Sequence, residues 1–126
     1  MTLLALSRYP DVFKLGFSFS PVSAWEAYDT GYTERFMSLP LSDACYKRGS
    51  VLTHAAGFPD EPGRLVIFHG LMDENVHFCH TSILAEALVR LNKPYSLQIY
   101  PEDRHGVARG AKHSTLTMFQ HLFSHL

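Results

Sequence analysis

The sequence predicts an α/β fold, a parallel sheet flanked by helices, and three observations carry that prediction. Residues 64–69 (Arg-Leu-Val-Ile-Phe-His) form a continuous apolar run ended by Gly70, the pattern of a strand buried on both faces. Val76, His80, Ile83, Leu84, Ala87, Leu88 and Leu91 follow at helical spacing and stop at Asn92-Lys93-Pro94. Residues 95–100 then alternate as a second strand closed by Pro101. A buried strand, a helix and a further strand in that order make the crossover unit of a parallel sheet.

The other elements fit around this unit. Leu3, Leu4 and Leu6 within residues 2–9 read as the tail of a helix, since a helix rarely continues past the residue before a proline such as Pro10. Residues 15–19 alternate apolar and small side chains with Pro21 just beyond, a strand entering a turn. Residues 23–37 are dense in aromatics (Trp25, Tyr28, Tyr32, Phe36) and predict short helical turns rather than one regular element, while residues 45–58 predict a helix. Leu116, Phe119, Phe123 and Leu126 recur at helical spacing and predict a final helix whose apolar side chains serve the core first and a dimer contact second.

Composition narrows the function classes. The chain has 126 residues, 46% hydrophobic and 18% charged with a formal net charge of -1, enough for one core and one domain. With 11 Lys plus Arg against 12 Asp plus Glu, it projects no field that collects phosphates or anionic lipid. No run approaches the roughly 20 apolar residues of a membrane span. Cys45 and Cys79 lie far apart without a C-x-x-C, which predicts reduced, packed thiols. His77-x-x-His80 and His121-x-x-x-His125 fall on helical faces, yet no H-E-x-x-H or third ligand accompanies them, so neither a metal nor any other cofactor is predicted.

In parallel sheets function sits in the loops at the carboxyl ends of the strands. Two loops qualify, 70–75 with Asp73 and 101–106 with His105. An acid followed by a histidine is the second half of the Ser, Asp/Glu, His order of α/β-hydrolases. In that chemistry a buried carboxylate fixes the imidazole tautomer while the other ring nitrogen takes a serine proton. Spacing alone leaves a turn role for Asp73 and a surface role for His105 open. There is no G-x-S-x-G; the nearest approach, Gly16-Phe17-Ser18-Phe19-Ser20, lacks the closing glycine, so Ser18 reads as structural. His69, at a strand end, is expected to pack near the site without titrating.

Three blocks then become recognisable: Pro21-Val-Ser-Ala-Trp25-Glu-Ala-Tyr28-Asp-Thr-Gly-Tyr32-Thr-Glu-Arg35-Phe-Met37, His69-Gly-Leu-Met-Asp73-Glu-Asn75-Val76-His77-Phe78 and Lys93-Pro-Tyr-Ser-Leu-Gln-Ile-Tyr100-Pro-Glu-Asp-Arg-His105. In this order they resemble the dipeptidyl peptidase branch of the prolyl oligopeptidase family, most of all its eight-and-nine type. The resemblance covers essentially the whole chain. It implies that residues 1–126 are the C-terminal half of an α/β-hydrolase domain, beginning just after the nucleophile elbow.

It further implies a serine-type peptidase that releases N-terminal X-Pro or X-Ala dipeptides, with a cytoplasmic location. Asp73 matches the triad acid and His105 the general base. Val22, Trp25, Tyr28, Tyr32 and Val76 match the box for a penultimate proline, and Asn75 matches a side chain that binds the substrate carbonyl. The nucleophilic serine, the oxyanion-hole tyrosine and the β-propeller carboxylates are absent from this chain, so the implied partners are the N-terminal hydrolase half, the propeller and a peptide with penultimate proline. An isolated chain is expected to be inactive. The alternative is a non-catalytic module that dimerises through the last helix. The loop Gly106-Val-Ala-Arg-Gly-Ala-Lys112 looks shorter than in the eight-and-nine type.

Overall fold

The computed structural model describes residues 1–38 and 43–125. In chain order the elements are α1 (Thr2–Arg8), β1 (Gly16–Phe19), a 3-10 turn (Trp25–Ala27), α2 (Thr30–Met37), α3 (Asp43–Gly49), a second 3-10 segment (Leu52–Gly57), β2 (Leu65–Gly70), α4 (Cys79–Arg90), β3 (Ser96–Tyr100) and α5 (Ala111–His125). Among the described residues the three strands form one parallel sheet in the order β1-β2-β3, with Phe19 opposite Phe68 and Gly70 opposite Tyr100.

The apolar run of β2 takes the central position because it alone is buried along its whole length. Side chains alternate across a strand, so Leu65 and Ile67 enter one core with Leu3, Leu6, Phe58, Leu84 and Leu88, while Val66 and Phe68 enter another with Tyr100 and Val107. Arg64 sets the register: its guanidinium donates to the carbonyls of Pro10, Phe13 and Lys14, and its own carbonyl accepts from Gly16 N at 2.9 Å.

Four expectations are corrected. The helix expected over 45–58 is divided at Ser50 and Val51, whose backbone and hydroxyl groups turn to the carbonyl of Ser23. The helix expected from Val76 begins at Cys79, because Val76 N donates to Asp73 and Val76 O accepts from His69. Leu116, Phe119 and Phe123 are 54%, 52% and 81% exposed and so do not serve the core; Leu126 lies outside the described residues. Both cysteines are free thiols, but Cys79 is exposed rather than packed. Elsewhere the helix at 2–9, the strands and the helical turns of 23–37 lie within a residue or two of the expected bounds. Among the described residues no helix is long and apolar enough to cross a membrane.

Candidate functional site

The carboxyl ends of β2 and β3 lie side by side and are joined through backbone. Leu71 N donates to Tyr100 O and Met72 N to Asp103 O, each at 3.0 Å. Gly70 permits this approach, since a Cβ there would stand 2.2 Å from Asp103 O. Gly70→Ala is therefore expected to cost about 1–3 kcal/mol of unfolding free energy. Urea unfolding checks this, and an unchanged midpoint contradicts the contact.

The junction brings Asp73 to His105. His105 Nδ1 lies 2.9 Å from Asp73 Oδ2 and 3.2 Å from Oδ1, with the acid side chain fully buried and the imidazole 43% exposed. An imidazole with one nitrogen on a buried carboxylate and the rest facing outward is arranged to exchange a proton through its free nitrogen. Oδ1 also accepts from Asn75 N at 3.0 Å and Val76 N at 2.9 Å, a tight turn made by the acid itself.

Burial pushes the Asp73 carboxyl up, but the neighbouring Ser20 hydroxyl and the donors of His105, Val76 and Asn75 more than offset it, leaving its pKa below the ordinary carboxylate value. The Ser20 hydroxyl is buried beside the acid without a hydrogen bond of its own and acts on the carboxylate as a nearby dipole. A depressed folded-state pKa contributes stability that is complete above the unfolded carboxyl value, about 3.9, and is lost as pH falls through the folded value. Below about pH 4 the unfolding free energy should fall less steeply in Asp73→Asn than in the parent chain. Urea titrations at several pH values test this, and equal slopes contradict it.

Next to the pair stands an aromatic cluster. Asp29 caps α2 by accepting from Tyr32 N at 2.9 Å, which fixes the start of the helix that carries Tyr32. Trp25 and Tyr32 stack with centroids 6.0 Å apart, and Tyr28 stands edge-on to both, 6.1 Å from Trp25 and 5.6 Å from Tyr32. The Trp25 indole is anchored by donating to Gly49 O at 3.0 Å. Tyr28 OH donates to Asn75 Oδ1 at 2.7 Å, which ties the aromatic cluster to the acid turn. This bond occupies the amide oxygen and leaves the Asn75 NH2 as a donor.

The remaining expected site residues are placed differently. Val76 is buried beneath the turn, whereas Val22 is half-buried and lines, with Trp25, a groove between α1 and β1. Ser18 is 8% exposed in the middle of β1, paired with Ile67. Two further histidines are buried here, His69 beside the acid and His80 beneath the aromatic cluster. His69 Nε2 lies 3.3 Å from Asp73 Oδ2. His80 packs edge-on against Tyr28 at 6.3 Å, and burial holds it below the usual imidazole value. The strand-end place of His69 signals its nearness to the site, but its bonds to Val76 and Thr81 leave no mark in the sequence. Among the described residues no three His, Cys, Asp or Glu side chains converge to hold a metal.

Residues 1–126 match the prolyl oligopeptidase family, Peptidase_S9. Over 129 aligned residues the chain is 46% identical to dipeptidyl peptidase 8 of Mus musculus and of Homo sapiens. It is 34% identical to dipeptidyl peptidase 4 of Felis catus. All of this chain is covered in each case, but it spans only 14% of the length of the first two and 16% of the third.

Proposed function

Because the chain belongs to the prolyl oligopeptidase family of serine peptidases, we propose that it supplies the acid–base half and the specificity pocket of a dipeptidyl peptidase site. The observation that carries this reading is the Asp73–His105 bond, with the acid buried and the base open. In the proposed mechanism His105 Nε2 takes the proton of a serine hydroxyl brought by the rest of the hydrolase domain and later returns it to the leaving amine. Asp73 stabilises the imidazolium formed in between. Nothing in the mechanism requires a cofactor.

Trp25, Tyr28 and Tyr32, with Val22 and Val76, form the proposed receptor for a penultimate proline or alanine, and the Asn75 amide donates to the substrate carbonyl. Rigid rings suit a pyrrolidine, and each well-filled methylene contributes about 1–3 kcal/mol of discrimination. In a full-length peptidase carrying this segment, Tyr32→Ala or Trp25→Ala should lower the rate ratio of penultimate-proline over penultimate-glycine substrates by about tenfold or more. The same variants should move the denaturation midpoint little for Tyr32, which is 49% exposed. An unchanged ratio together with a large stability loss would assign these rings to the core instead.

A second reading has its own observation. The exposed Leu116, Phe119 and Phe123 give α5 an apolar stripe suited to contact another protein surface, which favours a dimerisation role for the last helix. The two roles are compatible in one protein, with the cytoplasm as the proposed setting.

A further inference from the structure

The Asp73 carboxylate is contacted from four sides. Two backbone N–H groups, those of Asn75 and Val76, donate to Oδ1. Oδ2 faces two imidazoles: His105 Nδ1 at 2.9 Å and His69 Nε2 at 3.3 Å. His69 is fully buried at the end of β2. Its Nε2 also lies 2.8 Å from Val76 O, and its Nδ1 lies 2.7 Å from the hydroxyl of Thr81, fully buried on α4.

These partners assign the His69 tautomer. A carbonyl and a carboxylate can only accept, so the proton sits on Nε2, and the Thr81 hydroxyl donates to the lone pair on Nδ1. His69 thus spans three elements, the strand that carries it, the acid turn and α4.

We propose that His69 is a positioning residue that, by donating to Val76 O, holds the acid turn in the conformation in which the Asp73 carboxylate receives His105, with Thr81 fixing the imidazole. The proposal rests on reading Asp73 and His105 as an acid–base pair. Without the imidazole, the Val76 carbonyl and Thr81 hydroxyl are orphaned in the interior, and the turn that presents Asn75 N and Val76 N to Oδ1 loses its anchor.

The test follows the low-field proton resonance of His105 Nδ1–H in the 126-residue chain and its exchange with solvent. The parent chain should show this resonance and Asp73→Asn should abolish it. In His69→Leu the exchange should be about tenfold faster or more, the loss expected when a buried hydrogen bond is broken and its acceptor is left unpaired. His69→Gln, whose amide reaches the position of Nε2, should restore a rate near the parent's. Thr81→Val, of similar volume, should give an intermediate rate. Circular dichroism identifies folded variants, and if His69→Leu does not fold, Thr81→Val decides alone. An unchanged rate in a folded His69→Leu or, in its place, Thr81→Val overturns the proposal, and so does a His69→Gln rate as fast as that of His69→Leu. A parent chain with no Asp73-dependent resonance overturns the pair itself, and the positioning role with it.

Discussion

Asp73→Asn is expected to lower turnover by about 10⁴-fold in a full-length peptidase carrying this segment, with the fold retained. The geometry says how. Oδ1 accepts from two backbone N–H groups, so an asparagine must keep its amide oxygen there and present its NH2 where Oδ2 stood. That NH2 would face His105 Nδ1 as a donor and force the proton of the imidazole onto Nε2. The nitrogen that must accept from the nucleophile would then be occupied, and the anion that stabilises imidazolium would be gone. Hydrolysis of a chromogenic glycyl-prolyl amide measures the effect, with circular dichroism as the control for folding. Ordinary turnover would sink the assignment of Asp73.

The second large effect concerns the 126 residues alone. Removing the nucleophile of a catalytic triad costs on the order of 10⁶ in turnover, about 8 kcal/mol of transition-state stabilisation. Among the described residues no serine is hydrogen-bonded to His105. Ser18 lies inside a paired strand, and the hydroxyl of Ser20 is buried beside the acid rather than on the base. The purified chain should therefore leave glycyl-prolyl amides intact. Hydrolysis that disappears in Ser18→Ala would make Ser18 the nucleophile and overturn its structural role.

The sheet was largely legible in the sequence, and the reason is physical. The β2 run is decided by burial on both faces, which an unbroken apolar stretch records directly; the alternation of β3 marked a strand, although residues 96–98 are all half-buried and Ile99 is exposed. Where the reading failed, a specific tertiary bond had displaced the local preference. Val76 continues the helical spacing of α4, yet its N–H and its carbonyl are both claimed by the site, so the helix starts later. The 45–58 segment breaks where Gly49 O receives the Trp25 indole and Ser23 O receives Val51 N, a contact between segments distant in sequence. Within the site, Asp73 and His105 were legible through their order and their places after two strands. His69 was expected near the site and lies there, but its proposed positioning role was not legible, because it depends on Thr81 and Val76 O, which no spacing rule connects to it.

The backbone bonds from Leu71 and Met72 to Tyr100 and Asp103 limit how such a site can be controlled. The acid and the base are carried by adjoining strand ends that are bonded to each other and pressed together at Gly70. Moving the two loops apart, and with them the backbones that carry Asp73 and His105, would mean breaking these bonds at the end of the sheet. An inhibitor or regulatory partner that works by disassembling the proton relay would have to supply the energy of that local unfolding. Control that closes the entrance to the aromatic cluster, or displaces the nucleophile from outside, meets no such barrier, and selection for regulation should act there.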